Sequence, residues 1–318
     1  MEDYPRNLLE LEKRFSTEES CREYLIKMRW PEGIRCPRCG TEKTWPLKKG
    51  LFQCSGCDYK MSVTAGTIFE GTRMPLSLWF RAIWHLTSQK SGASALGMQR
   101  ILGLGSYETA WAWLHKLRHA MVRPRRDNLS GRVEVDETYV GGEKPGKRGR
   151  GAFGKTLVVI AAETHEDAIG RIRLRRVSDA SEASLEAAVQ ETVEPGSVIF
   201  TDGWSGYNNL KHLGYHHEVV RQAEDTGDNL LPHCHRVASL IKRWLMGTYQ
   251  GSFSHKHLDY YLDEYTFRFN RRTSRHRGKL FYRLIQQAVI TEPAPYDFIV
   301  TGARNKKLKN TTFRDCPI

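Results

Sequence analysis

The spacing of apolar residues changes character along the chain. In residues 7–29 and 75–86, leucines and aromatic residues recur three and four positions apart, which predicts amphipathic helices. From residue 133 onwards the spacing falls to two or becomes continuous, which predicts strands. Helical spacing returns in 181–193 and 233–246. The second half of the chain is therefore predicted to be an α/β domain.

Two further helical stretches, residues 94–102 and 107–122, flank the turn Gly103-Leu-Gly-Ser106. A helix, a glycine-containing turn and a second helix are typical of the helix-turn-helix, whose second helix enters the major groove of DNA. An ordinary helical hairpin has the same pattern, so both interpretations stand. In the first, Lys116 and Arg118 on the polar side of the second helix contact DNA.

The α/β region contains four predicted strands, with the helix 181–193 before the last of them. The strands are residues 133–140, 156–162, 170–177 and 197–201. Three strands, a helix and a fourth strand are compatible with the front half of a ribonuclease H-like mixed sheet.

The charge of the chain indicates a polyanionic partner. The sequence has 49 Lys and Arg against 36 Asp and Glu, a net charge of +13, and a pI near 9.4. Nucleic acid fits better than a membrane, because no segment approaches the roughly 18 consecutive apolar residues of a spanning helix. The N-terminal residues lack the basic and apolar regions of a signal peptide. We expect a cytoplasmic protein that is associated with the nucleoid when bound to DNA.

Four of the seven cysteines form two pairs, Cys36-Pro-Arg-Cys39 and Cys54-Ser-Gly-Cys57. Each pair can place two thiolates on one tight turn, and two such turns complete a closed tetrahedral zinc site. A site with four thiolates has no open coordination position, so we expect the zinc to be structural. The other cysteines are scattered, which fits a reducing compartment better than a disulfide framework.

Two aspartates, Asp136 and Asp202, stand in positions where a sheet could bring them together. Alternation puts Glu134 and Asp136 on one face of the first strand, and Asp202 follows the last strand, just before Gly203. Taken separately, Asp136 fits the solvent face of an edge strand and Asp202 a turn. Because groups at the ends of adjacent strands of an α/β sheet converge on one crevice, the pair predicts a site.

A helix over residues 233–246 offers a third group. At about 100° per residue, its apolar side chains share one arc, and His235 and Lys242 fall together outside it. If this helix packs on the sheet through its apolar arc, both side chains can point from the same edge of the helix. Three alternatives remain: His235 as a cap or surface residue, His233-Cys234-His235 as a separate metal cluster, and Lys242 as a solvated lysine.

Two basic segments extend the predicted DNA surface. Dense positive charge suits phosphate contact, and the aromatic residues of the second segment suit base stacking. The alternatives are an ordinary hairpin tip for the first and the polar side of a packed helix for the second. The candidates are Lys147, Arg148 and Arg150 in residues 143–151, and Arg271, Arg272 and Arg275 in residues 267–279.

Six motifs, in order along nearly the whole chain, resemble those of the zinc-ribbon DDE transposases of bacterial insertion sequences, the ISXO-type group. They are Trp30-Pro-Glu-Gly-Ile-Arg-Cys-Pro-Arg-Cys-Gly40, Val135-Asp-Glu-Thr-Tyr-Val-Gly-Gly142, Thr201-Asp-Gly-Trp204, Leu240-Ile-Lys-Arg243, Gly247-Thr-Tyr249 and Phe267-Arg-Phe-Asn-Arg-Arg272. The resemblance implies a ribonuclease H-like catalytic domain.

The resemblance also implies the site. Asp136 and Asp202 match the first two metal-binding carboxylates of the family. The third is usually a Glu seven residues before a Lys, whereas His235 stands seven residues before Lys242 here. The role passes to His235, and the alternatives are acidic residues of the preceding loop. Those residues are Glu224, Asp225 and Asp228.

The activity implied is cleavage of phosphodiester bonds at the ends of an insertion sequence and joining of the 3′-hydroxyl ends to target DNA by two-metal-ion catalysis. Asp136 would bridge two ions, with Asp202 on one and His235 on the other, and Lys242 would hold a phosphate. The ions would be Mg²⁺ or Mn²⁺. Because imidazole suits Mn²⁺ better, we expect Mn²⁺ to be at least as effective. Two ends must be cut together, so we expect a dimer or higher assembly on double-stranded DNA.

Four domains are predicted. They are an N-terminal helix and zinc ribbon (1–72), a helix-turn-helix DNA-binding domain (73–127), the ribonuclease H-like domain (128–290) and a loosely ordered tail (291–318). Two other functions remain open: a nuclease of the same fold that only hydrolyses, and a DNA-binding regulator with an inactive core. The presence of both aspartates and the lysine favours catalysis over the regulator.

Overall fold

A computed structural model describes residues 2–123, 126–141, 155–166, 168–220, 230–250 and 253–302. The chain forms two compact units: Met1–Arg125 with Ser274–Ile318, and Arg126–Thr273. Among the described residues, no helix is long and apolar enough to cross a membrane.

The first unit is mainly helical. Its N-terminal segment contains the helices α1 (Leu8–Arg14), α2 (Glu18–Arg29), α3 (Leu76–Ser88), α4 (Ala95–Leu102) and α5 (Tyr107–Ala120), and the strands β1 (Thr44–Pro46), β2 (Leu51–Cys54) and β3 (Lys60–Ser62) form an antiparallel ribbon. The predicted turn is present: Ser94 and Ser106 cap α4 and α5 through their hydroxyl oxygens, and Gly103 ends α4 with φ of 63°. The left-handed conformation at that position favours glycine.

The second unit contains a five-stranded mixed sheet. Its elements are β4 (Arg132–Val140), β5 (Thr156–His165), β6 (Ala168–Val177), α6 (Glu182–Thr192), β7 (Val198–Thr201), β8 (His216–Val219), α7 (Pro232–Tyr249) and α8 (Leu258–Phe269). The strand order is β6-β5-β4-β7-β8, with β4, β5 and β6 antiparallel and β4, β7 and β8 parallel. This confirms the predicted ribonuclease H-like mixed sheet.

Each face of this sheet buries its own core. Val133 and Val135 of β4 face α6, whereas Val140 faces α7 and α8. The alternation therefore carries Glu134 and Asp136 to the α7 side. Strand β5 is apolar on both faces because it lies in the sheet interior, as its continuous apolar run predicted.

The two units do not follow the predicted domain boundaries. Helix α9 (Arg277–Ala288), assigned from sequence to the catalytic domain, lies in the first unit together with α10 (Tyr296–Thr301). The reason is aromatic packing: the ring of Phe281 lies 5.7 Å from Phe80 and 6.0 Å from Phe15. Part of the predicted tail is thus helical, and residues 303–318 lie outside the described residues.

Candidate active site and metal centres

Asp136 lies near the middle of β4, and its side chain is 14% exposed. Its Oδ1 accepts a hydrogen bond from the backbone N–H of Glu137 at 2.8 Å. The other oxygen, Oδ2, lies 3.3 Å from Nε2 of His235. A strand carboxylate and a helix imidazole that are separated by a long stretch of sequence therefore meet.

Asp202 is exposed immediately after the end of β7. The parallel register pairs Glu134 with Phe200, so Asp136 and Asp202 stand two residues further along neighbouring strands. Neighbouring strands are about 4.8 Å apart. The Oδ1 of Asp202 accepts the N–H of Trp204 at 3.0 Å, and Gly203 provides the turn with φ of 83°. Asp202 thus combines the turn role with a position beside Asp136.

Asp136 is buried among other negatively charged groups. Burial raises the pKa of Asp136 to about 6, and the carboxylates of Glu137 and Asp202 add to the rise. The imidazole of His235 and the N–H of Glu137 oppose it. A divalent ion would relieve this repulsion, so the donor set fits a cation.

Lys242 lies two turns beyond His235 on α7 and is exposed. Desolvation of its amine lowers the pKa of Lys242, Lys155 lowers it further, and Asp136 opposes this. The amine therefore lies within the electrostatic reach of Asp136. A lysine in this position can bind an oxygen of a phosphate held over Asp136.

Only the four cysteines of the ribbon, among the described residues, bring three or more potential ligand atoms within 4.8 Å of one another. The nearest carboxylate oxygen of Asp202 therefore lies more than 4.8 Å from the ligand atom of at least one of Asp136 and His235. In the predicted arrangement Asp202 and His235 serve different ions, so the two need not approach each other. The alternative ligands Glu224, Asp225 and Asp228 lie outside the described residues.

The sulfur atoms of Cys36 and Cys57 are 3.6 Å apart, and those of Cys39 and Cys54 are 3.4 Å apart. Four sulfurs around a zinc ion, each at about 2.3 Å from it, lie roughly 3.8 Å apart. The cluster therefore fits zinc. Hydrogen bonds with Thr41 lower the pKa of Cys39 to about 6.

The two cysteine turns have the same backbone. The N–H of Gly40 donates to the carbonyl of Cys36 at 2.9 Å, and the N–H of Asp58 donates to that of Cys54 at 3.1 Å. Gly40 and Asp58 both have positive φ, 77° and 55°. The residue after each C-x-x-C therefore turns the chain in the same way, which presents both sulfur pairs to a common centre.

The predicted DNA contact by Arg118 is wrong for this structure, because Arg118 is 1% exposed and its Nη1 lies 3.3 Å from Nδ1 of His115. Helix α5 contacts α4, α9 and α10, and on its predicted polar side His115 is buried and His119 is half-buried. Lys116 is half-buried, and desolvation lowers its pKa. Its DNA contact stays a prediction.

The C-terminal arginines have different surroundings. The guanidinium of Arg271 lies 4.1 Å from the centre of the Phe267 ring. Arg272 donates to the backbone carbonyls of Ile169, Gly170 and Phe269, which gives it a structural role. Arg275 is exposed. The remaining predicted contacts, Lys147, Arg148 and Arg150, lie outside the described residues.

Sequence reasoning missed two side chains that support this site. Glu134 binds the first turn of α7, and Glu137 accepts a hydrogen bond from the hydroxyl of the buried Tyr207 at 2.9 Å. Alternation along β4 identifies the face on which each carboxylate lies. It does not identify the partner, because helix α7 and Tyr207 come from distant parts of the chain.

Comparison with known proteins agrees with this architecture. Residues 128–270 match the ISXO2-like transposase domain, and residues 16–60 match the transposase zinc-ribbon domain. A protein described as uncharacterized, in the transposable element ISH50 of Halobacterium salinarum, is 25% identical over 258 residues, which cover 73% of this chain and 85% of the relative.

Solved structures with some likeness include the catalytic core of BIV integrase and a pre-cleavage Mos1 transpososome. The first is 16% identical and covers 43% of this chain and 82% of its own, with a TM-score of 0.29. The second is 12% identical and covers 71% and 80%, with a TM-score of 0.27. The chain thus contains matches to a transposase zinc ribbon and, after it, to an ISXO2-like transposase domain, which confirms the resemblance that the motifs predicted.

Proposed function

We propose that this protein cuts phosphodiester bonds at the ends of an insertion sequence and joins the freed 3′-hydroxyl ends to target DNA. The observation that supports this best is the 3.3 Å approach of Asp136 to His235 beside Asp202. These side chains come from two neighbouring strands and a later helix. Asp136 meets His235, and Asp202 stands at the matching position of the neighbouring strand, which supports a site for divalent ions.

Asp136, Asp202 and His235 would hold the ions, with Asp136 shared between them. The carboxylate of Asp136 is oriented by the N–H of Glu137, which leaves Oδ2 directed toward His235. Bound divalent ions stabilise negative charge on the attacking and leaving oxygens of an in-line displacement. The imidazole of His235 favours Mn²⁺ relative to a site made only of carboxylates.

The chain's own residues position the DNA for two displacements at phosphorus. In cutting, a water oxygen bonds to phosphorus and the 3′-oxygen of the element end leaves. In joining, that 3′-hydroxyl oxygen bonds to a target phosphorus and the target's own 3′-oxygen leaves. The ammonium of Lys242 would donate to a phosphate oxygen, and it is exposed as such a contact requires. Two ends are handled together, so a dimer or higher assembly on DNA is part of the proposal.

The test is Asp136→Asn in a strand-transfer assay with labelled element ends, with DNA binding measured alongside. We expect unchanged binding and loss of both cut and joined products. Asp259→Asn is the matched control, because Asp259 lies in the same unit, its side chain is 15% exposed against 14% for Asp136, and it forms an ion pair with Arg176, 3.0 Å away. Full activity of Asp136→Asn would overturn the metal role.

The wild-type products distinguish the alternatives. Joined product supports the transposase reaction. Nicked product without joining supports a nuclease that only hydrolyses, and bound but intact DNA supports a regulator with an inactive core.

A further inference from the structure

Glu134 is buried where β4 meets the first turn of α7, with 6% of its surface exposed. Its Oε2 accepts the backbone N–H groups of His233 and Cys234, both at 2.9 Å. Its Oε1 accepts a hydrogen bond from Nδ1 of His233 at 2.6 Å. One strand carboxylate therefore holds the start of a helix about one hundred residues later by three hydrogen bonds.

Helix α7 has no cap of its own. The preceding residue, Leu231, makes no side-chain capping bond, and Pro232 at the first helical position has no N–H. The N–H groups of the next two residues are those that a Ser or Asp cap ordinarily accepts. Glu134 accepts them instead. Its negative charge also suits the positive end of the helix dipole.

The same contact sets the distance between the two halves of the proposed site. Glu134 and Asp136 are two residues apart on one face of β4, and His235 directly follows the two residues that Glu134 binds. Because Glu134 holds the first turn of α7, it fixes both the position of the helix along β4 and the rotation of the helix about its own axis. With that placement, Nε2 of His235 lies 3.3 Å from Oδ2 of Asp136.

We propose that Glu134 is a positioning residue that aligns His235 with Asp136 by clamping the first turn of α7. The inference rests on the proposed function, because it assigns Glu134 a part in the site formed by those two residues. Glu134 itself contacts neither the ions nor the DNA. Its role is to decide where the imidazole is held.

The first experiment compares Glu134→Gln with Glu163→Gln in the full-length protein. Glu163 is the matched control: it is 4% exposed, accepts the N–H groups of Ser130 and Arg171 at 3.0 and 3.1 Å, and lies in the same sheet. Mn²⁺ affinity is measured by electron paramagnetic resonance of the free ion, and stability by urea unfolding. We expect Mn²⁺ affinity to fall roughly 10–100-fold in Glu134→Gln and to stay unchanged in Glu163→Gln. Equal Mn²⁺ affinities in wild type and Glu134→Gln would overturn the inference.

The second experiment asks whether Glu134 acts through His235. Glu134→Gln is combined with His235→Ala, and joined DNA product is measured for both single variants and the pair. If Glu134 only places the imidazole, adding Glu134→Gln to His235→Ala causes no further loss. Fully additive losses would show that Glu134 acts independently and would overturn the inference.

A milder variant covers the case in which Glu134→Gln does not fold. His233→Ala removes the bond to Oε1 but keeps both backbone bonds to Glu134. We expect an intermediate loss of Mn²⁺ affinity, and no loss would overturn the inference. Failure of the proposed function is recognised separately, because wild type and Asp136→Asn would then bind Mn²⁺ alike and neither would cut DNA.

Discussion

The side chain of Asn270 closes the outer edge of the sheet. Its Oδ1 accepts the N–H of Ile172 at 2.8 Å, and its Nδ2 donates to the carbonyl of Ile172 at 3.1 Å. One side chain thus replaces the neighbouring strand that edge strand β6 lacks. We predict that Asn270→Ala destabilises the second unit and leaves DNA affinity unchanged, although Asn270 lies in a segment rich in arginine.

The size of the effect follows from what Ile172 would lose. Ile172 is 0% exposed, so its N–H cannot form a hydrogen bond with water in place of Oδ1 when the Asn270 side chain is removed. Its carbonyl keeps a second donor, Nη1 of Arg173 at 3.0 Å. A buried N–H without an acceptor costs about 1–3 kcal/mol and a replaceable hydrogen bond about 0.5–1 kcal/mol, so the two losses together give about 1.5–4 kcal/mol.

Urea unfolding and hydrogen exchange of residues 168–177 measure this loss, with DNA affinity determined on the same samples. Asn208→Ala makes the same chemical change at an exposed position of the second unit and should stay within about 0.5 kcal/mol of wild type. If Asn270→Ala unfolds in urea and exchanges hydrogen as the wild type does but binds DNA more weakly, the reasoning is refuted and Asn270 is a DNA contact.

Three further predictions concern the metal centres. Asp136 binds a proton more tightly in the folded than in the unfolded chain, with a pKa near 6 against 3.8. Without divalent ions, the free energy of unfolding of the wild type should therefore fall relative to that of Asp136→Asn as pH rises from about 4 to 6, by up to about 3 kcal/mol. Above that range the difference should stay level. A difference in urea unfolding that does not change with pH would contradict this. His235→Glu restores the residue usual in the family, so the ratio of joining activity in Mn²⁺ to that in Mg²⁺ should fall, and an unchanged ratio would argue against His235 as a ligand. Chelation of zinc should raise hydrogen exchange in residues 36–62 and leave exchange in β4–β5 unchanged, and protection of 36–62 that survives chelation would exclude a folding role for the metal.

Local chemistry made much of this protein predictable. The C-x-x-C pairs, the serines that cap α4 and α5, and Gly103 between these helices each act through neighbours a few residues away. Alternation of valine and acidic residues along β4 likewise depends only on the period of a strand. Each of these features depends on a short stretch of sequence. The zinc ribbon, the paired helices and the face of β4 that carries Asp136 could therefore be predicted from the sequence alone.

Contacts between distant segments decided the rest. Helix α5, which carries the buried Arg118, packs against α9 and α10 from far beyond it in the chain, and Asn270 binds the edge of β6 some hundred residues earlier. The clamp of Glu134 on α7 has the same character. Polar side chains can satisfy a backbone group anywhere that the fold brings them, and no periodicity records which group it will be. The sequence alone therefore identified the groups able to bind metal, whereas the tertiary structure determined which of them meet and what holds them there.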